Sequence, residues 1–325
     1  MFKVGISGDL LNSNDEPCFG KEPLNLLNER KDVEITWMDK SILELNPEMT
    51  SKFDAILLNL PKANADCVSQ SNCRLKLISR FGVGFDSVDI EFMKSKNIIV
   101  TNTPNAVRRP VAVAALTMIF AAAGKLLQKN YLVRNDIWNE RTNYMGIGLA
   151  KKTLGVIGVG NIGAETIKLS KPFFNNILAY DPYKSKTQLS KIGAIKVNLI
   201  ELASKSDFIV ILCNLDNETK GMINHYFFLN MKKSAYIFNL SRGPVINESD
   251  LEKALKNKVI SGAGLDVTEK EPLSINSKLL DFENVIVTPH ALCWTDECFN
   301  DIAVEAINSI LNFIDKKPIL NQVNK

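Results

Sequence analysis

The sequence predicts an α/β protein of two domains, each built on a mostly parallel sheet. Three observations predict it. Short apolar or β-branched runs alternate with helix-compatible segments along most of the 325 residues. The alternation occurs twice, interrupted by the turn-forming Asn102-Thr103-Pro104-Asn105 and a long helical stretch. The second series opens on Thr153-Leu154-Gly155-Val156-Ile157, which runs into Gly158-x-Gly160-x-x-Gly163 and then a helical pattern.

In the first series the strand candidates are Val4 to Ser7, Val33 to Met38, Asp54 to Leu60, Leu75 to Phe81 and Ile98 to Thr101. Arg80-Phe81-Gly82-Val83-Gly84 ends one of them. It reads as a tight turn, or as backbone N–H groups bared to a ligand. A long helix over about Val107 to Arg134 follows, apolar in its first half, and then an irregular stretch from Trp138 to Met145. The second series has six candidates: Leu154 to Gly158, Ile177 to Tyr180, Phe208 to Cys213, Ala235 to Asn239, Gly262 to Val267 and Val285 to Thr288. Six parallel strands complete a doubly wound sheet. The amphipathic helix from Thr295 to Ile314 is too long for another strand connection, so it is expected to rejoin the first domain. The expected division is 1–102 with 295–325, and 103–294.

Composition excludes several classes of function. The 39 basic and 36 acidic residues give a net charge of +3, with no basic block for nucleic acid. The longest apolar run, Val111 to Gly124, has 14 residues and is too short for a bilayer. Six cysteines form no C-x-x-C pair and there are only two histidines, so no metal cluster is expected. Scattered thiols and an N-terminus without a leader pattern point to the cytoplasm.

The glycine run has the spacing of a dinucleotide site. Gly158 permits the turn off the strand, Gly160 lets backbone approach a pyrophosphate, and Gly163 lets the helix pack on the strand. The helix start offers N–H groups to phosphate. Asp181 lies 18 residues beyond Gly163 at a strand end, where a carboxylate accepts ribose hydroxyls and repels a 2′-phosphate. NAD is therefore favoured over NADP, although Lys184 and Lys186 lie close by.

Other strand ends carry reactive side chains. His290 follows the last strand, whereas His225 sits in a helix-start context, so a reaction needing an imidazole falls to His290. Glu271 lies past the preceding strand, where it can support an imidazole as proton donor; Glu269 competes for that place. Asp266 ends that strand and suits a cofactor amide. Arg242 reads as a bidentate fork for a 2-oxo or 2-hydroxy acid, or as a capping or salt-bridge arginine. Arg108 and Arg109 begin the long helix and suit a solvated or interdomain salt bridge better than a substrate.

The ordered blocks RFGVGFDSVDI (80–90), NTPNAVRRPVA (102–112), GVGNIG, YDPY from Tyr180, NLSRGPVI (239–246), GLDVTEKEP (264–272) and TPH (288–290) resemble the D-isomer-specific 2-hydroxyacid dehydrogenases along nearly the whole chain. The resemblance implies two Rossmann-like domains: a flavodoxin-like substrate domain and a doubly wound NAD-binding domain. It implies a catalytic Arg242, Glu271 and His290. It implies cofactor contacts at Asn161, Ile162, Asp181, Cys213, Thr219, Leu240 and Asp266, and substrate-carboxylate contacts from the Val83 and Gly84 backbone. It also implies a homodimer through the NAD domain and an active site in the cleft between domains.

Three departures bear on the substrate. Many members have Val-Ala-Glu where this chain has Val111-Ala112-Val113, and many have His-x-Pro where it reads Leu212-Cys213-Asn214. Phosphoglycerate-type members often carry Arg after the strand that here ends Leu57-Leu58-Asn59-Leu60; Asn59 and Pro61 bring no charge, and Lys62 is the nearby cation. The expected activity is NAD-dependent interconversion of a small 2-oxo acid and its D-2-hydroxy acid. The rivals are a formate dehydrogenase-like enzyme, in which Gln typically partners the His, and a corepressor-like NAD(H) sensor without turnover.

Overall fold

Two parallel sheets carry the chain. A computed structural model describes residues 1–325, and they divide into two compact units: Met1–Val107 with Trp294–Lys325, and Arg108–Cys293.

In the first unit the strands are β1 (Phe2–Ile6), β2 (Val33–Trp37), β3 (Ala55–Leu58), β4 (Leu77–Arg80) and β5 (Ile99–Thr101). They pair in the order β2-β1-β3-β4-β5, all parallel. Every residue of β3 is buried, as a central parallel strand requires, and so it reads as an unbroken apolar run. The C-terminal helix Asp296–Ile314 belongs to this unit. Thr295 caps it by accepting from the Cys298 N–H at 3.1 Å. Its buried stripe, Phe299, Ile302, Ala303, Ala306, Ile307 and Ile310, has helical spacing. The Ala306 carbonyl accepts from the buried Ser79 hydroxyl of β4 at 2.9 Å, which pins the helix to the sheet.

The second unit has seven strands where six were expected: β6 (Thr153–Ile157), β7 (Asn176–Tyr180), β8 (Ile195–Lys196), β9 (Phe208–Ile211), β10 (Tyr236–Asn239), β11 (Gly262–Leu265) and β12 (Val285–Val287). Their order is β12-β11-β10-β9-β6-β7-β8. The extra strand, β8, pairs through only two residues at the sheet edge, too few to show a period. Phe208 stacks with Tyr236 and Phe238 on one face, ring centroids 5.8 and 6.2 Å away. Burying each such ring contributes about 1.5–3 kcal/mol.

The long helix also differs from expectation. It breaks into Arg108–Gly124 and Leu126–Arg134, bent by 58°. Lys125 at the break has φ 54°, a left-handed conformation that ends a helix. The Trp138 to Met145 stretch is less irregular than expected, because Trp138–Asn143 form a 3-10 helix. No single helix is long and apolar enough to cross a membrane.

Candidate active site

The glycine turn leaves β6 at the centre of the second sheet. Gly158 has φ +86°, and a Cβ there would lie 2.5 Å from the Cys213 backbone nitrogen. Any other residue would strain the backbone and clash with the end of β9. A Cβ on Gly163 would collide with the Gly158 carbonyl, so the helix Asn161–Ser170 sits directly on the turn. Around Gly160 the reverse holds: a Cβ would meet nothing within 4 Å. That open side, at a helix N-terminus begun by exposed Asn161 and half-buried Ile162, fits a pyrophosphate.

Asp181 is buried at the end of β7. Its Oδ2 accepts from the Val159 N–H at 2.8 Å and its Oδ1 from the Tyr183 N–H at 2.9 Å. The carboxylate thus shapes the glycine turn itself, and each oxygen keeps a further lone pair for a ribose hydroxyl. Cys213 packs on Gly158, and burial pushes its thiol up to about 12. It is a wall here and not a nucleophile. Thr219 is engaged locally: its hydroxyl donates to the Asn214 carbonyl at 2.7 Å and accepts from the Asp216 N–H at 2.8 Å. Leu240 is buried just past β10.

The reactive groups follow β10, β11 and β12, which are neighbours in the sheet. Asn239, fully buried, builds the turn that carries Arg242. Its Oδ1 accepts from the Ser241 N–H and hydroxyl at 3.1 and 2.9 Å, and its Nδ2 donates to the Arg242 carbonyl at 2.9 Å. The next residue, Gly243, lies so close to the Thr268 carbonyl that a Cβ would collide with it, which brings the Arg242 turn against the loop after β11.

In that loop Glu271, not Glu269, reaches the imidazole. Glu271 Oε2 lies 2.8 Å from His290 Nδ1, and Oε1 accepts from the Thr268 N–H at 3.2 Å. The Glu269 side chain is exposed, and its N–H donates to Glu248 at 3.0 Å. Burial pushes the Glu271 carboxyl up. The His290 hydrogen bond and charge, the Thr268 N–H and the Arg242 charge outweigh burial and hold it below the ordinary glutamate value. An ionised carboxylate only accepts hydrogen bonds, so Nδ1 carries the hydrogen and Nε2 is left for another partner.

His290 has φ 55°, a conformation that costs a non-glycine residue roughly 1–2 kcal/mol. Its N–H donates to the Asp266 and Thr288 carbonyls at 2.8 and 3.0 Å. Asp266 Oδ1 accepts from the Thr288 hydroxyl at 2.6 Å and from the Ala291 and Leu292 N–H groups, each at 3.1 Å. Asp266, placed by sequence against a cofactor amide, therefore also folds the loop that presents His290. Neither this role nor that of Asn239 is visible locally; a buried Asn or Asp at a strand end is the signal that marks both. His225, by contrast, is exposed and begins the short helix His225–Asn230. Arg109 pairs with Glu165 at 2.8 Å within the same unit, with its own side chain largely exposed: the solvated salt bridge expected, and not an interdomain one.

In the first unit the loop after β4 holds Val83 and Gly84. The Val83 carbonyl accepts from Asn102 Nδ2 at 2.8 Å and the Gly84 carbonyl from Arg80 Nε at 3.0 Å. Their N–H groups have no acceptor within the protein.

Comparisons with known proteins place the chain in a family. Residues 116–291 match the family model of the D-isomer specific 2-hydroxyacid dehydrogenase NAD binding domain. The chain is 35% identical to the D-3-phosphoglycerate dehydrogenase of Synechocystis sp. over 90% of its own length and 52% of that protein's. It is 33% identical to the glyoxylate reductase of Aeropyrum pernix, covering 94% of this chain and 93% of the relative. It also resembles the D-lactate dehydrogenase of Aquifex aeolicus, solved with NAD and lactic acid, with a TM-score of 0.84, 27% identity and 99% coverage of each chain. The chain spans 52–59% of the length of the first three D-3-phosphoglycerate dehydrogenases it matches. With its NAD-binding domain matched across the site just described, the chain belongs to the D-isomer specific 2-hydroxyacid dehydrogenase family.

Proposed function

We propose that this chain is an NAD-dependent oxidoreductase that interconverts a small 2-oxo acid and its D-2-hydroxy acid. The observation that carries the reading is the His290–Glu271 pair, 2.8 Å apart at adjacent strand ends of the NAD-binding unit. Arg242 binds the substrate carboxylate and polarises the carbonyl. The Val83 and Gly84 N–H groups hold the same carboxylate. His290 Nε2 gives its proton to the carbonyl oxygen in reduction and takes one from the hydroxyl in oxidation. Glu271 fixes the ring tautomer and stabilises the charged ring. Gly158, Gly160, Asn161, Ile162 and Gly163 cradle the dinucleotide phosphates; Asp181 takes the ribose; Cys213, Thr219, Leu240 and Asp266 line the rest. NAD supplies the hydride acceptor, and NADH the donor.

Two finer points belong to the same reading. A homodimer through the NAD-binding unit is supported by the resemblance and by the exposed Val113, Phe120, Leu127, Tyr131 and Trp138 there. A cytoplasmic setting is supported by six cysteines of which none forms a disulfide. Formate oxidation puts no proton on a carbonyl oxygen, so an acid–base pair of this kind has no task in it.

The test is NADH consumption across a panel of 2-oxo acids, run beside NADH binding by fluorescence. Consumption with at least one 2-oxo acid is expected. Tight NADH binding with no consumption on any member would turn the reading toward a nucleotide sensor.

A further inference from the structure

In the first unit the sheet order places β1 beside both β2 and β3, so the direction of winding changes between β1 and β3. Open α/β sheets bind ligands beyond the carboxyl ends of strands at such a switch point. The segments leaving β1 and β3 at that point meet around one carboxylate, that of Asp9. Its Oδ1 accepts from the Ser7 hydroxyl. Its Oδ2 accepts from Asn59 Nδ2 at 2.5 Å and from the Leu60 N–H at 3.2 Å. Asp9 lies in a 3-10 turn, Gly8–Leu10, that is wedged against the chain after β2: a Cβ on Gly8 would collide with the Met38 carbonyl.

The same network reaches the loop expected to hold the substrate carboxylate. Arg80 donates to the Leu58 and Asn59 carbonyls through Nη1 and to the Gly84 carbonyl through Nε. Its guanidinium thus braces backbone between Asn59 and Gly84. Ser7 and Asn59, the polar side chains at the switch point, donate to Asp9. The nearby cation on the β3 segment is Lys62, an exposed side chain past the buried Pro61.

We infer that Asp9 is a specificity-determining residue of the first unit: it selects a 2-oxo acid whose far end is neutral or donates hydrogen bonds, such as a hydroxyl or an ammonium, and rejects one that ends in phosphate. This rests on the proposal that the Val83 and Gly84 N–H groups take the substrate carboxylate. With two donors on Oδ2 and one on Oδ1, the carboxylate keeps one lone pair, on Oδ1, for a further donor. A phosphate brought within a Debye length of about 8 Å is repelled by that carboxylate, the more strongly the lower the salt.

The experiment compares kcat/KM, with NADH as the reductant, for a 3-hydroxy-2-oxo acid and its 3-phosphate ester. The wild-type protein is expected to favour the hydroxy compound by at least about tenfold, mainly in KM. Asp9→Asn is expected to narrow that ratio about fivefold or more, and added salt to narrow it in the wild type only. Asn59→Asp, which adds a second negative charge, is expected to widen it and serves as the test if Asp9→Asn does not fold. A wild-type preference for the phosphate ester, or a ratio unmoved in a folded Asp9→Asn and in Asn59→Asp, overturns the inference. Reduction of no 2-oxo acid at all by a protein that binds NADH overturns the proposed activity instead, and this inference with it.

Discussion

His290 Nδ1 and Glu271 Oε2 lie 2.8 Å apart, although 19 residues separate them, because the loops after β11 and β12 leave neighbouring strands at the same edge. The contact sets which ring nitrogen holds the hydrogen. Glu271→Gln keeps the shape and removes the charge that steadies a protonated ring. It is expected to lower kcat/KM for 2-oxo acid reduction by roughly 10- to 1,000-fold. NADH affinity, read by fluorescence titration, should hold, because the lost charge acts on the imidazole.

The same carboxylate makes stability depend on pH, with a definite sign. Glu271 titrates below its ordinary value in the folded chain. Its contribution is therefore complete above the unfolded value of about 4.3, and is lost as pH falls through the folded value. Thermal unfolding of the wild type and Glu271→Gln should show the full gap in Tm at about pH 5, and a shrinking gap below about 4. A gap that widens in acid would contradict the assigned direction.

The glycine turn separates folding from binding at two positions. Gly158→Ala meets the Cys213 backbone and holds a left-handed φ, so it should destabilise the fold by roughly 1–2 kcal/mol or more. Gly160→Ala meets nothing within 4 Å, so Tm should stay close to the wild type. NADH should nonetheless bind at least about tenfold more weakly, since the added methyl projects where phosphate is expected. Calorimetry and nucleotide titration on the two variants check both halves.

Much of this site was legible in the sequence, and the limits are physical. The glycine turn is local, so its spacing shows in consecutive residues. His290 and Arg242 stand out as candidates because a short apolar run ends shortly before each, whereas Glu269 and Glu271 compete after β11 and the choice between them comes from the resemblance and the fold. Asn239 and the loop-building role of Asp266 do not stand out, because their hydrogen bonds join turns on different strands. Asp9 escaped for the same reason: its partners Asn59 and Leu60 lie some 50 residues away. Lys125 escaped because nothing about a lysine announces a left-handed φ, and the Gly124 before it reads equally well as helix interior. β8 escaped because two residues carry no period.

Asn239 gives a test of the buried scaffold. Asn239→Ala removes three hydrogen bonds from a fully buried position, at about 1 kcal/mol each, and releases the Arg242 turn. Denaturant unfolding should show a loss of about 2–3 kcal/mol. KM for the 2-oxo acid should rise more than kcat falls, because Arg242 remains present but is held less firmly.

The central claim is that His290 moves the proton. It is tested most directly by single-turnover stopped-flow oxidation of bound NADH by a reactive 2-oxo acid, comparing the wild type with His290→Ala. The expected result is a rate constant lower by about 10²–10⁴-fold in the variant, with NADH affinity unchanged. A variant that turns over at the wild-type rate would contradict it.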